Sequence, residues 1–223
     1  MGENKMIDYM GVKLNKKDYG VITSIIKEHH FICQSKEKPP EDDFNSCYYI
    51  EEGKITYLCL NAYTHNKFPK RIVELHNLQD LKLVYNRYTL IPESIGNLKN
   101  LIRLSLSDNN LKDLPSSIED LQQLKYLDLS YNHFESIPEV VSTLENLEVL
   151  NIESNIIKKI PKNIKNLKNL KELFIDDNKF AEIPKAVLSL KNLQKLVIFL
   201  YIDKEDDICQ ELLNRNVEIA GIF

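Results

Sequence analysis

The sequence is short of glycine. Six glycines occur in 223 residues and none cluster, which excludes a glycine-rich phosphate loop. No Gly-x-Ser-x-Gly and no His-Glu-x-x-His occurs either, so the common nucleophile-elbow and zinc-protease signatures are absent. There is no run of 18 apolar residues, so no membrane-spanning helix is expected. The opening Met-Gly-Glu-Asn-Lys-Met lacks an apolar segment, and no secretory signal is expected. Met6 stands where the myristoylation pattern wants Ser or Thr. Cysteine is sparse and irregular: Cys33, Cys47, Cys59 and Cys209. That spacing predicts reduced thiols and a cytoplasmic protein, a Cys33–Cys47 bridge being the alternative. His29-His30-x-x-Cys33 is half of a metal motif with no second half of familiar spacing. Its plainer reading is a helix C-terminus with histidines near the negative end of the dipole. No metal or cofactor is expected. The net charge of −4 does not indicate general nucleic-acid binding.

What is present is periodicity. A 23-residue pattern repeats from residue 72 to residue 186, with copies beginning at Ile72, Ile95, Ile118, Val141 and Ile164. Apolar residues fall at repeat positions 1, 4, 7, 10, 12, 17 and 20. Asparagine holds position 15 (Asn86, Asn109, Asn132, Asn155, Asn178) and proline position 21 (Pro92, Pro115, Pro138, Pro161, Pro184). The apolar pair at positions 10 and 12 has the period of a strand, so both side chains face one way. Strands of successive copies are expected to stack in parallel. An amide supplies donor and acceptor at a sharp bend and tolerates unusual backbone angles. The five asparagines are therefore expected to form a buried ladder to the backbone of adjacent copies. Proline, with φ fixed, suits the first turn of a short outer helix. One copy cannot bury its leucines alone; stacking makes a continuous core.

The pattern L-x-x-L-x-L-x-x-N, followed by two spaced apolar residues and Pro, resembles the leucine-rich repeat family in its 23-residue, Ras-group form. The resemblance implies an α/β fold: a right-handed solenoid with a parallel sheet on its concave face and 3-10 or short helical segments on its convex face. It implies a binding scaffold and says little of the partner. Bacterial ubiquitin-ligase effectors place a catalytic domain behind such repeats; here the sequence stops at Phe223, and no enzyme activity is expected.

The ends are degenerate. Residues 1–48 are expected to be a helical cap and loop, residues 49–209 repeats (degenerate over 49–71 and 187–209, regular between), and residues 210–223 a terminal cap strand. Asn15 is placed to cap a helix over Lys16 to His29, with Val21, Ile22, Ile25 and Ile26 on one face. Ser35 to Asn45, with Pro39-Pro40, reads as a loop. Residues 48–60 read as a hairpin turning at Glu52-Gly53. Tyr63 and Tyr201 replace the ladder asparagine in the end copies. Glu205-Asp206-Asp207 begins a helix to about Leu213, and Val217–Phe223 is expected to add one last parallel strand.

Positions 9, 11 and 13, extended by 14 and 16, should set the inner face. Early copies contribute Tyr57, Cys59, Asp80, Lys82, Tyr85, Arg87 and Arg103; the middle contributes Asp108, Tyr126, Asp128, Tyr131 and His133. Late copies contribute Asn151, Glu153, Glu172, Phe174, Asp176, Asp177 and Lys179, then Lys195, Val197 and Phe199. Aromatics on a rigid concave surface are favoured binding anchors, although exposed strands prefer them anyway. Cations lie early and carboxylates late, a gradient that would orient a protein partner carrying a basic patch. The candidate protein-binding set is Tyr85, Arg87, Arg103, Tyr126, Asp128, Tyr131, His133, Glu153, Glu172, Phe174 and Asp176. Lys158, Lys159, Lys162, Lys165, Lys168, Lys171 and Lys185 make a lysine-rich flank, read as a solvated face rather than a membrane or nucleic-acid surface. The expected function is a non-catalytic protein–protein interaction module, monomeric or weakly dimeric, with a scaffolding or signalling role. Two alternatives stand beside it. One is a regulatory subunit for a small GTPase or phosphatase, implied by the resemblance alone. The other is a structural dimerisation module using Val197, Phe199 and Leu200.

Overall fold

The computed structural model describes residues 6–9, 12–29, 32–35, 37–40, 46–61, 67–200 and 206–222. A small antiparallel pair, β1 (Met6–Tyr9) and β2 (Val12–Asn15), precedes helix α1 (Lys16–His29). Then come β3 (Cys33–Gln34), β4 (Cys47–Glu51) and β5 (Lys54–Cys59). The regular copies supply β6 (Asp80–Lys82), β7 (Arg103–Ser105), β8 (Tyr126–Asp128), β9 (Val149–Asn151) and β10 (Glu172–Phe174). The chain closes with β11 (Lys195–Leu200), helix α2 (Asp207–Asn214) and β12 (Glu218–Ile222). Strands β3 to β12 form one ten-stranded sheet in chain order. It is parallel throughout except at the β4–β5 hairpin. Glu52 (φ 48°) and Gly53 (φ 73°) turn that hairpin, the doubly left-handed pair that matches strand twist.

Register follows the period. Leu81, Leu104, Leu127, Leu150 and Leu173 pair in line across the sheet and all are fully buried. Short 3-10 turns back them, such as Ser116–Asp120 and Lys162–Asn166. Proline sits one residue before the first helical turn the sequence suggested for it. It is the N-cap of each 3-10 turn, and its carbonyl accepts the N–H of position 1, as Pro115 does from Ile118 at 3.1 Å. The fixed φ aims that carbonyl, and the missing N–H is not needed there.

The ladder asparagines tie each copy to the one before it. Asn132 Nδ2 donates to Leu106 O of the preceding copy at 3.0 Å, and to Leu129 O and Ser130 O at 3.1 and 3.0 Å in its own. Its Oδ1 accepts from Leu111 N at 2.9 Å. Asn109, Asn155 and Asn178 repeat the arrangement. The unusual backbone angle lies one residue earlier than the amide, at position 14: Tyr85, Asp108, Tyr131, Ser154 and Asp177 have φ between 47° and 57°. Reversing the chain there swings the next side chain inward.

A second amide ladder stands at position 6, unremarked in the sequence. Asn100, Asn146, Asn169 and Asn192 donate to His76 O, Gln122 O, Glu145 O and Lys168 O of the preceding copy at 2.6–2.9 Å. In the third copy Gln123 holds this position without such a bond.

Both ends of the core are covered. Val21, Ile22 and Ile25 of α1 are buried, Ile26 packs at their margin, and Asn15 Oδ1 caps the helix by accepting from Asp18 N at 2.9 Å. Asp18 is itself buried and accepts Ile55 N at 3.0 Å. At the far end Asp206 caps α2, Cys209 and Leu212 are buried, and Arg215 donates to Leu188 O and Leu190 O. β12 lies parallel on β11. Tyr63, Tyr201, Glu205, His30 and most of the Ser35–Asn45 loop, including 41–45, lie outside the described residues.

Leu127→Ala should cost about 2–5 kcal/mol in urea unfolding, because the site opens a cavity flanked by rigid neighbours. Gln123→Asn should instead add about 0.5–1 kcal/mol by completing the second ladder onto Lys99 O. Unchanged stability in both would contradict these packing roles.

Candidate functional site: the concave face

The β7–β10 strands bring repeat positions 9, 11, 13 and 14 onto one inner surface, and the structure divides the residues assigned to it. Tyr85 and Tyr131 are 55% and 54% exposed. They stand at left-handed backbone positions, a conformation that costs a bulky residue about 1–2 kcal/mol. Arg87 and His133 are exposed, while Arg103, Tyr126, Glu153, Glu172 and Phe174 are half-buried. Asp128 and Asp176 are buried, as are Tyr57, Cys59, Asp80 and Lys82. These six keep their place on the inner face but are covered, which differs from the exposed map: strands this short and closely stacked let neighbours cover the side chains between them.

The charge gradient also changes. Lys82 lies over the Tyr57 ring, 5.7 Å from its centre. Arg103 stacks on Tyr126 at 4.0 Å and approaches Asp80 Oδ2 at 3.9 Å. Two of the three early cations are thus engaged inside the protein, leaving Arg87 projecting. Among the described residues no such cation lies on the late carboxylates. Asp128 is held by hydroxyls and backbone: Ser105 Oγ donates to Oδ2 at 3.0 Å, and Ser130 N and Oγ donate to Oδ1 at 3.0 and 2.7 Å. Tyr131 Oη donates to Glu153 Oε1 at 3.1 Å. Ser154 Oγ donates to Asp177 Oδ2 at 2.9 Å. Carboxylates outnumber the projecting cations from the middle of the surface onward, where Lys179 is exposed and Lys195 pairs with Glu218.

Between the exit side chains lies a cleft of about 500 Å³. Its charged lining is Asp108, Asp128 and Glu153; Tyr85, Tyr126 and Tyr131 supply its aromatic walls, and among the described residues no lysine or arginine lines it. Beside it, Asp176 Oδ1 is buried without a hydrogen-bond partner. Burial, then the charges of Glu153 and Asp177, push the Asp176 carboxyl up to about 6.

Elsewhere, the seven flank lysines are exposed, and Lys171 pairs with Glu148 at 2.5 Å. Phe199 is 56% exposed and Val197 half-buried; the Leu200 side chain is outside the described residues. Cys47, Cys59 and Cys209 are buried thiols. Among the described residues no cluster of His, Cys, Asp and Glu could hold a metal ion, and no helix is long and apolar enough to cross a membrane. The left-handed position 14 had no sequence signal, since Tyr, Asp, Tyr, Ser and Asp occupy it without a glycine. The position-6 ladder did have one, in the recurrent asparagine.

Asp176 holds its proton more tightly in the folded chain than in the unfolded one. Folding stability should therefore fall as pH rises from about 4 to about 6 through this group. Asp176→Asn should stabilise the fold at pH 7 by about 1–3 kcal/mol, the gap closing near pH 4. Urea titrations at the two pH values check this; equal stability at pH 7 would contradict the buried-charge assignment.

Similarity to known proteins accords with this architecture. A family model described as a leucine-rich repeat region matches residues 109–216, and a second, leucine-rich repeat, matches residues 76–134. A leucine-rich repeat protein of Leptospira interrogans is 32% identical over 71% of this chain and 45% of its own, with a TM-score of 0.53. Internalin C2 of Listeria monocytogenes is 25% identical over 75% of this chain and 70% of its own, with a TM-score of 0.61. The plant peptide hormone receptor RGFR1, solved in complex with RGF2, is 29% identical over 65% of this chain and 24% of its own, with a TM-score of 0.55. The chain thus spans less than half the length of the Leptospira protein and about a quarter of the receptor. No curated protein sequence matches it. Leucine-rich repeats generally mediate protein–protein interaction. By its 23-residue period, its asparagine ladder, its parallel solenoid and these matches, the chain belongs to the leucine-rich repeat family.

Proposed function

We propose that the chain is a non-catalytic interaction module that binds a protein partner on its concave face, in a scaffolding or signalling role. The observation that carries this reading is the cleft between Tyr85, Tyr126 and Tyr131, lined by aromatics and carboxylates, with Arg103 stacked on its Tyr126 wall. Two of those tyrosines are more than half exposed and held at strained backbone positions. Such a backbone position costs a tyrosine stability that asparagine or glycine would not lose, which fits a surface kept for contact. Rigid presentation is the mechanism. The coils fix the spacing of the side chains before the partner arrives, so little rotamer and backbone freedom is lost on binding. The acidic balance of the cleft favours a partner with a basic patch and would speed its approach. The RGFR1 complex offers a parallel in which a related scaffold engages RGF2. The buried cysteine thiols fit a reducing, cytoplasmic setting.

The test is affinity capture with three baits. The unaltered chain should retain a partner identified by mass spectrometry. Tyr85→Ala with Tyr131→Ala should melt no lower than the parent and lose that partner. Lys165→Glu with Lys168→Glu, on the flank, should keep it. Loss with the flank variant and retention with the tyrosine variant would move the site off the concave face.

A further inference from the structure

We infer that a polar cleft at the strand entries of the early coils binds a short, extended polypeptide segment of a partner by its backbone. The cleft shares no lining residue with the concave one, so the inference stands independently of the reading above.

The cleft measures about 570 Å³ and lies beside the tip of the β4–β5 hairpin. Repeat position 8 supplies Thr56, Gln79 and Ile102, and position 6 supplies Asn77 and Gln123. In later coils position 8 closes on itself. Lys125 pairs with Glu148 Oε1 at 3.1 Å, and Lys171 with Glu148 Oε2 at 2.5 Å. A threonine, a glutamine and an isoleucine cannot pair in that way, and the early part of the row stays open. From Thr56 to Ile102 it spans two strand spacings, about 10 Å, the length of about three extended residues.

The polar groups along this row are idle. Thr56 is 7% exposed, and its hydroxyl has no hydrogen-bond partner. A buried hydroxyl left in that state destabilises the fold. Asn77 holds the ladder position from which, one coil later, Asn100 donates to His76 O. The matching carbonyl for Asn77 is Gly53 O. It accepts Asn15 N and Asn15 Nδ2 instead, each at 3.0 Å. The residue that caps α1 thus displaces Asn77 from the ladder. Among the described residues, the side chains of Asn77, Gln79 and Gln123 make no hydrogen bond.

A primary amide carries a donor and an acceptor side by side, as a peptide unit does, and can pair with one at both. A row of such amides across stacked coils suits a strand laid along the row and held by main-chain hydrogen bonds. Ile102, 37% exposed, offers apolar contact to one side chain of that strand. Among the described residues no aromatic ring lines the cleft for a sugar to stack on. Glu51 and Glu52, which also line it, repel phosphate groups.

The test follows the side-chain amide resonances of the ¹⁵N-labelled full chain by NMR while a blocked tetra-alanine peptide is added. Those of Asn77, Gln79 and Gln123 should shift and saturate, while those of Asn146 and Asn169, engaged in the ladder, should stay. The N-methylated peptide, which lacks backbone N–H groups, should produce no saturable shift. Thr56→Val and Gln79→Met should each weaken binding by about fivefold, the loss of one hydrogen bond. Thr56→Val should do so while melting no lower than the parent, which separates lost recognition from lost folding. Tyr85→Ala with Tyr131→Ala should bind like the parent, so this site and the concave one fail separately. Absence of a saturable shift would overturn the inference. So would equal binding of the N-methylated peptide, or equal binding by the parent and both cleft variants. Saturation by methyl glucoside or inorganic phosphate, with none by the peptide, would assign the cleft to a sugar or a phosphate and overturn it likewise.

Discussion

One side-chain amide per coil holds the coils in register. Among the described residues, ladder amides donate to the Leu106 and Leu129 carbonyls and Asn132 accepts the Leu111 N–H; without the ladder these buried groups would go unpaired, at about 1–3 kcal/mol each. A chain that turns sharply after three strand residues cannot satisfy those groups by strand pairing alone. The amide closes the gap, and it does so only if the next coil lies at one distance and one angle. The leucines supply the driving force for stacking; the ladder fixes where stacking stops. Everything on the inner face inherits its spacing from that constraint.

Against this well-satisfied interior, the concave surface carries the unfavourable terms. Tyrosines hold left-handed backbone where asparagine or glycine would be easier. Asp176 is buried beside Glu153 and Asp177 rather than among donors. By contrast Asp128, also buried, receives hydrogen bonds from Ser105 and Ser130 and belongs to the scaffold. Two aspartates of equal burial on one face thus play different parts, and their partners distinguish them.

The fold was legible because its code is periodic. Leu104, Leu127 and Leu150 recur at one position, and only a stacked coil makes that recurrence useful. The helix over Lys16–His29 was legible from its apolar spacing and the asparagine before it. What the sequence hid was of another kind. The small β1–β2 pair alternates, as in Val12-Lys13-Leu14-Asn15, over too few residues to announce a strand. The left-handed position 14 has no glycine. The internal use of Lys82 and Arg103 depends on which ring lies under which cation, and a face assignment from parity does not contain that. Parity placed Tyr126 and Glu153 on the inner face; it could not say which charges remained available there.

The sharpest single measurement is hydroxyl-radical footprinting of the chain, alone and with its captured partner. Alone, Tyr85 and Tyr131 should be oxidised readily, whereas Tyr48, Tyr57 and Tyr88, sealed within the coils, should resist. With the partner bound, Tyr85 and Tyr131 should become protected while side chains on the 3-10 turns stay reactive. Protection of the turns with Tyr131 still oxidised would contradict the account.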